Sequence, residues 1–261
     1  MSKFRQLIRD TGKTTAGFGF ALTRQSKTRH ILVLAEAATA AAATAAAGAG
    51  VDAVLFTGAS SDVGAVASAA GKPTAVWLLD ADRASVQAAR DAGADFFVFD
   101  DGRAHASSMA VEEVGRVLVL GADHDEQRLR SIAGIDLDAV LVTGDPDALT
   151  VRDLLSLRRV AGYAGAPLLV ASEQSPSAAA LEAWRDAGAA AVLVRGDATV
   201  LRAVVEAAEA VPAPRRRRNE GVTPSLGLRV AAPAEHDHDD DDDLEPSLAE
   251  SAAPSLSPGP Q

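Results

Sequence analysis

Four stretches of this chain share one plan: Gly50-Val-Asp-Ala-Val-Leu-Phe-Thr-Gly58, Gly93-Ala-Asp-Phe-Phe-Val-Phe-Asp-Asp101, Gly134-Ile-Asp-Leu-Asp-Ala-Val-Leu-Val-Thr-Gly-Asp145 and Gly188-Ala-Ala-Ala-Val-Leu-Val-Arg-Gly196. In each, a glycine ends a helix, a short turn follows, and an apolar run of strand length stops at a polar residue. Aligned on their last strand positions, Thr57, Asp100, Thr143 and Arg195, the copies lie 43, 43 and 52 residues apart. That spacing is about twice one strand-plus-helix unit, so a second, less regular strand belongs between each pair. Four copies therefore predict eight strands.

Read in order, the expected strands are 30–36, 51–57, 73–80, 95–100, 116–121, 138–143, 167–171 and 190–195. Helices are expected between them, over the Ala-rich run to Ala49 and over 62–70, 82–92, 107–114, 123–132, 149–161 and 176–187, with a last one at 198–210. Strands of continuous apolar character joined by helices indicate a parallel sheet covered on its outer face. Eight units in about 180 residues fit a compact (β/α)8 TIM-type barrel over residues 30–211. The competing arrangement is an open doubly wound sheet. No Gly-x-Gly-x-x-Gly follows the first strand, where Glu36-Ala-Ala-Thr39 stands instead.

The net charge of -11 divides unevenly. Residues 1–29 carry seven Lys or Arg against Asp10 and form a basic arm, whereas the predicted barrel is strongly acidic. Phe4, Leu7 and Ile8 fall at helical spacing among basic residues, so the arm should begin with a short amphipathic helix. Its expected dock is the acidic body, one end of which it would cover. Asp10-Thr-Gly-Lys-Thr-Thr15 resembles a phosphate loop only superficially, because Leu7 stands where the first glycine is needed and no strand precedes it. Gly17-Phe-Gly-Phe20 reads as an apolar hook pinning the arm. Residues 212–261, with an Arg run at 215–218 and His236-Asp-His-Asp-Asp-Asp-Asp-Asp243, have too few large apolar side chains to fold and read as a disordered tail rich in Pro, Ser and Asp.

Composition excludes several chemistries. Cysteine is absent, which removes thiolate catalysis, Cys-ligated metals and disulfides. Lysine occurs only at 3, 13, 27 and 72, and Lys72 precedes a strand, at the wrong end for a Schiff base. No strand carries a His-x-His metal pair. An acidic body repels nucleic acid. No apolar run is long enough to span a bilayer or to serve as a signal peptide, so the expected location is the cytoplasm.

In a barrel, ligands gather where the βα loops leave the C-terminal strand ends. The repeat places Thr57, Asp100, Thr143 and Arg195 in one polar layer there, above an apolar layer of Leu55, Val98, Leu141 and Leu193. Asp100 and Arg195, on opposite strands, would face each other, either bridged directly or with a ligand between them. Arg195, Thr57, Thr143, Gly196 and Ser172 are the candidate ligand contacts, and Asp100 and Asp80 the candidate acid or base. Glu36, Asp80, Asp100 and Glu173 are the candidate ligands for magnesium or manganese. Asp123 and Asp145 are assigned first to capping the helices that follow them. His105 and His124 lie in βα loops and are candidate bases, although exposed histidines without a role are common there.

The Gly-Ala-Asp-x-x-Val-like junction resembles the phosphate-binding (β/α)8 barrels, the group of indole-glycerol-phosphate synthase, thiamine-phosphate synthase and the flavin-dependent barrels. The resemblance spans the predicted barrel as a pattern of fold. It implies a phosphate grip by Gly-rich loops after strands seven and eight. This chain has Ala171-Ser-Glu-Gln-Ser-Pro176 and Val194-Arg-Gly-Asp197 there, and only Gly196 matches, so flavin is disfavoured. Gly93 to Asp101 also resembles a segment of the metal-dependent aldolase and citrate-lyase-like barrels, which implies strand-end carboxylates on magnesium.

The resulting expectation is a barrel that binds a small metabolite, phosphorylated or not, at its C-terminal strand ends, with lyase or isomerase chemistry. The competing expectation is a non-catalytic degenerate barrel that recruits protein partners through residues 1–29 and 212–261.

Overall fold

A computed structural model describes residues 2–11, 29–121 and 125–214. Eight parallel strands form a closed barrel in chain order: β1 (Leu32–Ala37), β2 (Ala53–Phe56), β3 (Thr74–Trp77), β4 (Phe96–Asp100), β5 (Gly115–Val119), β6 (Ala139–Thr143), β7 (Leu168–Ser172) and β8 (Ala189–Val194). β8 closes on β1 with Leu193 opposite Leu34. This is the (β/α)8 barrel, not the open sheet. The helices are α1 (Lys3–Thr11), α2 (Ala40–Ala49), α3 (Val63–Ala70), α4 (Arg83–Asp91), α5 (Glu126–Ile132), α6 (Val151–Ala164), α7 (Ala178–Ala187) and α8 (Ala198–Ala210). Between β4 and β5 the expected helix over 107–114 is only a 3-10 turn, Ala106–Ala110. The Arg116 guanidinium donates to the Met109 and Val111 carbonyls and ties off the segment there.

Alternation along each strand separates two apolar layers. Leu34, Leu55, Ala75, Val98, Val117, Leu141, Leu169 and Leu193 fill the barrel interior. Residues of opposite phase, such as Val33, Val54, Val76, Phe97, Leu118, Val140, Val170 and Val192, face the helices. Ala43, Ala46 and Ala49 are the buried face of α2, which packs on α3 and α8. Side chains this small allow the helices close approach.

Gly50, Gly93 and Gly188 follow helices with φ of 92°, 101° and 114°, the left-handed turn that a side chain would strain. Gly134 departs from the plan: α5 ends at Ala133 in right-handed geometry. N-caps are supplied by Thr39, Asp82, Asp125, Thr150, Ser177 and Asp197. Asp145 does not cap α6 as expected. Its carboxylate accepts from the Asp147 and Ala148 backbone within the loop, and Thr150 takes the cap. Asp123, His124, the 17–20 hook and the tail beyond residue 214 lie outside the described residues.

Helix α1 closes the N-terminal end of the barrel, as its amphipathic pattern predicts. Phe4 is fully buried in the interior cluster and stacks on Phe96, with ring centroids 4.2 Å apart and an interplanar angle of 10°. The aspartates of the repeated junction make the dock. Asp95 accepts from the Lys3 and Phe4 backbone N–H groups, both at 2.8 Å, satisfying donors that a helix start leaves open. Asp138 is buried and accepts from Ser2 Oγ and Arg5 Nε, while Arg5 also reaches Asp136 at 2.8 Å. The first copy, Asp52, pairs with Arg29 at 3.0 Å and accepts from the Val33 backbone. The fourth copy has Ala190 instead, beside the one irregularity in the β7–β8 register.

Candidate functional site

The polar ring sits at the opposite end, at the C-terminal strand ends. Thr57, Asp100, Thr143 and Arg195 lie two residues beyond Leu55, Val98, Leu141 and Leu193, which are in the interior cluster, so apolar floor and polar rim follow the expected order. The matching positions on the odd strands are Glu36, Trp77, Val119 and Ala171, all half-buried. Glu36 is thus a carboxylate one step down into the barrel, beside β8.

Arg195 does not pair with Asp100. Its Nε and Nη2 donate to one oxygen of Glu36, at 2.8 and 2.6 Å. The reason is closure: β1 and β8 are hydrogen-bonded neighbours, so residues 159 apart in sequence meet side by side, whereas Asp100 stands across the barrel. Asp100 instead accepts from the Gly102 backbone at 2.8 Å, making a tight turn. The Glu36 carboxylate raises the Arg195 pKa above its usual value, and Glu173 adds a weaker pull. The Arg195 side chain is 72% exposed and Glu36 only 18%, so the pair holds the guanidinium at the surface of the mouth with further N–H donors turned to solvent.

Two cavities meet at this pair. One, of about 420 Å³, is lined by Glu36, Thr143, Asp145, Ser172, Glu173 and Arg195, among others. The second, of similar size, is bounded by Glu36, Thr57, Trp77, Leu79 and Arg195. Of the expected contacts, Arg195, Thr57, Thr143 and Ser172 therefore face the mouth, though Ser172 Oγ is engaged by the Gln174 carbonyl at 2.8 Å. Glu36 and Glu173 are there too.

The remaining candidates stand apart. Asp80 is 69% exposed and grips Arg103 through two bonds, at 2.9 and 2.7 Å. Hydrogen bonding from Arg103 lowers the Asp80 pKa, which suits a fixed rim pair better than a proton carrier. Asp101 is likewise held by Arg128. Neither Asp80 nor Asp100 lines the two mouth cavities. Among the described residues, no three His, Asp or Glu side chains converge as a metal set would.

Gly196 has a packing role: a side chain there would lie 2.7 Å from Val200. The start of α8, where a phosphate would meet open N–H groups, is filled by the Asp197 carboxylate, which accepts from Thr199 and Val200 at 2.8 and 2.9 Å. Sequence reasoning missed Trp77 and the pairing role of Glu36. Both lie in the inward phase of odd strands, a signal present in the alternation once the repeat fixes the even strands.

A closed parallel barrel of eight strands joined by helices, its first and last strands bridged at the mouth by an arginine–glutamate pair, has the (β/α)8 architecture. No protein-family model matches the chain, and no curated protein matches it in sequence. Among solved structures it is similar to 3-keto-L-gulonate-6-phosphate decarboxylase from Vibrio cholerae, with a TM-score of 0.58 and 12% identity over 69% of this chain and 97% of that one. It is similar also to thiamine phosphate pyrophosphorylase from Pyrococcus furiosus (TM-score 0.54, 11% identity, 69% of this chain, 96% of the other). A third is orotidine 5'-phosphate decarboxylase from Pyrococcus horikoshii (TM-score 0.54, 14% identity, 68% and 99%). At these identities the likeness is one of fold. Among the described residues no helix is long and apolar enough to cross a membrane.

Proposed function

We propose that the barrel mouth binds a small anionic metabolite and acts on it by lyase or isomerase chemistry, with Arg195 as the anion contact. The observation that carries this reading is the placement of Arg195, pinned by Glu36 between two cavities with most of its side chain exposed. An exposed arginine held in one orientation offers a prepared fork to a carboxylate or phosphate. Thr57 and Thr143, one in each cavity, add hydroxyl donors. Three carboxylates line the mouth with Arg195, and since Asp145 is engaged by its own loop, Glu36 and Glu173 are better placed than Asp100 or Asp80 to move a proton at a bound ligand. A phosphate group would have to rely on Arg195 and the threonines, because Asp197 already fills the helix start. A magnesium or manganese requirement is left to the same screen.

The test is a thermal-shift and calorimetric screen of the full chain, with and without magnesium or manganese, against inorganic phosphate, sugar phosphates and short carboxylates, with Arg195→Ala in parallel. Stabilisation by an anion that vanishes in the variant, followed by turnover of that compound, supports the reading. An anion that stabilises both proteins equally sinks it.

The non-catalytic reading draws on one specific observation, the self-capped start of α8, where the resemblance to phosphate-binding barrels implies an open phosphate grip. In that case protein partners would be recruited through residues 12–28 and 212–261, since residues 2–11 are committed to the barrel's own floor.

A further inference from the structure

Helix α6 carries two apolar stripes. Leu157, Val160 and Ala164 form its buried face, and Leu154 packs against the same cluster. Val151 and Leu155 stand off that face, one turn apart, and are 73% and 62% exposed. Among the described residues, Ile135 is the one other large hydrophobic that is exposed. A lone exposed leucine is ordinary, but a paired ridge beside a groove marks a contact surface.

The groove runs between α6 and α7 and encloses about 480 Å³. On α7 it is lined by Ala179, Ala183 and Ala187, which fall at four-residue spacing and leave room for side chains from outside. Glu182 and Asp186 of the same helix both turn to one guanidinium, Arg185, at 3.6 and 2.6 Å, so this side of the groove keeps an excess of negative charge. The other side carries Arg158 of α6, which is exposed and has no ion-pair partner among the described residues. Ridge and groove, surplus cation and surplus carboxylate, thus lie side by side on one surface. A two-fold axis through such a surface sets each feature against its complement, as in isologous interfaces.

We propose that two copies of this chain pair about a two-fold axis at α6 and α7, Val151 and Leu155 of each protomer entering the groove of the other and Arg158 of each facing the carboxylates on the other's α7. The alanines let the helices approach, the apolar ridges leave water, and the charge surplus of each copy is met. Helix α6 begins directly after the 144–150 loop, whose Asp145 and Pro146 line the mouth, so the interface lies next to the mouth and away from the end closed by α1. So small an apolar patch suits a weak dimer, with a dissociation constant in the micromolar range. The pairing is independent of what the mouth binds.

The test is sedimentation analysis of the full chain over a micromolar concentration series, which should reach twice the 26.7 kDa chain mass. Leu155→Glu should weaken association at least about tenfold, and Arg158→Glu should weaken it less. Val151 is the first residue of α6, where a carboxylate favours the helix, so Val151→Glu keeps the fold and should weaken association as well. Ile135→Glu, an equally polar change outside the groove, should leave the dimer intact. A monomer at every concentration, the result if another segment or a different protein covers the groove, would overturn the proposal. So would a dimer that survives both Leu155→Glu and Val151→Glu, or one that Ile135→Glu disrupts to the same extent.

Discussion

Arg195 and Glu36 join the last strand of the barrel to the first, with two guanidinium nitrogens on a single carboxylate oxygen at 2.6 and 2.8 Å. The pair spans the seam where chain closure occurs, and it stands between the two cavities of the mouth. Its exposure makes it a weak contributor to stability and an accessible one for ligands.

Arg195→Ala should therefore change stability by no more than about 1 kcal/mol in urea denaturation. Anion binding measured by calorimetry should be lost in the same protein. Glu36→Gln should keep the arginine and weaken its clamp, so anions compete with a neutral amide and bind more tightly than in the unaltered chain.

Phe4→Ala should cost about 3 to 5 kcal/mol, since it empties a fully buried site at the barrel floor and removes the stack on Phe96. The unfolding midpoint is the measurement. A loss below about 1 kcal/mol would mean that α1 does not close the barrel in solution.

Gly115→Ala acts on the same dock from the other side. The added carbon would sit 2.7 Å from Phe96 Cβ and 2.9 Å from Ser2 Cβ, besides meeting the Asp138 carboxylate. Neighbouring backbone cannot yield that much, so the helix should be displaced. The double variant with Phe4→Ala should be markedly less destabilised than the sum of the singles, as expected when both changes undo one contact.

Acid should loosen this dock. The Asp136 pKa lies below its usual value, chiefly through its hydrogen bond from Arg5. A depressed carboxylate stabilises the fold above its unfolded pKa, about 3.9, and loses that contribution as pH falls through the lower folded value. The carboxylate is 71% exposed, so the effect is small, about 0.5 kcal/mol. Asp136→Asn should be less stable than the parent by about that amount at neutral pH, with the gap narrowing only below about pH 4.

Much of this architecture was legible in the linear order of residues. The repeated junction predicts eight strands, and the phase of Leu55 to Thr57, Val98 to Asp100, Leu141 to Thr143 and Leu193 to Arg195 predicts which side chains line the interior and the rim. Those are properties of a chain segment and its period, set by backbone geometry and by the exclusion of water from apolar runs. The spacing of Phe4, Leu7 and Ile8 likewise announces a helix that must cover something. The partners were another matter. Nothing near Arg195 in sequence marks Glu36: the repeat sets Asp100 opposite it in the polar layer, whereas closure sets β8 beside β1. The repeated aspartates read as parts of a turn, yet Asp95 and Asp138 hold the N-terminal helix from more than ninety residues away. Hydrophobic period thus determined the barrel and the direction of its side chains. Which charges meet and which cavity Arg195 serves depend on distances between strands remote in sequence, and only the closed tertiary structure decides those.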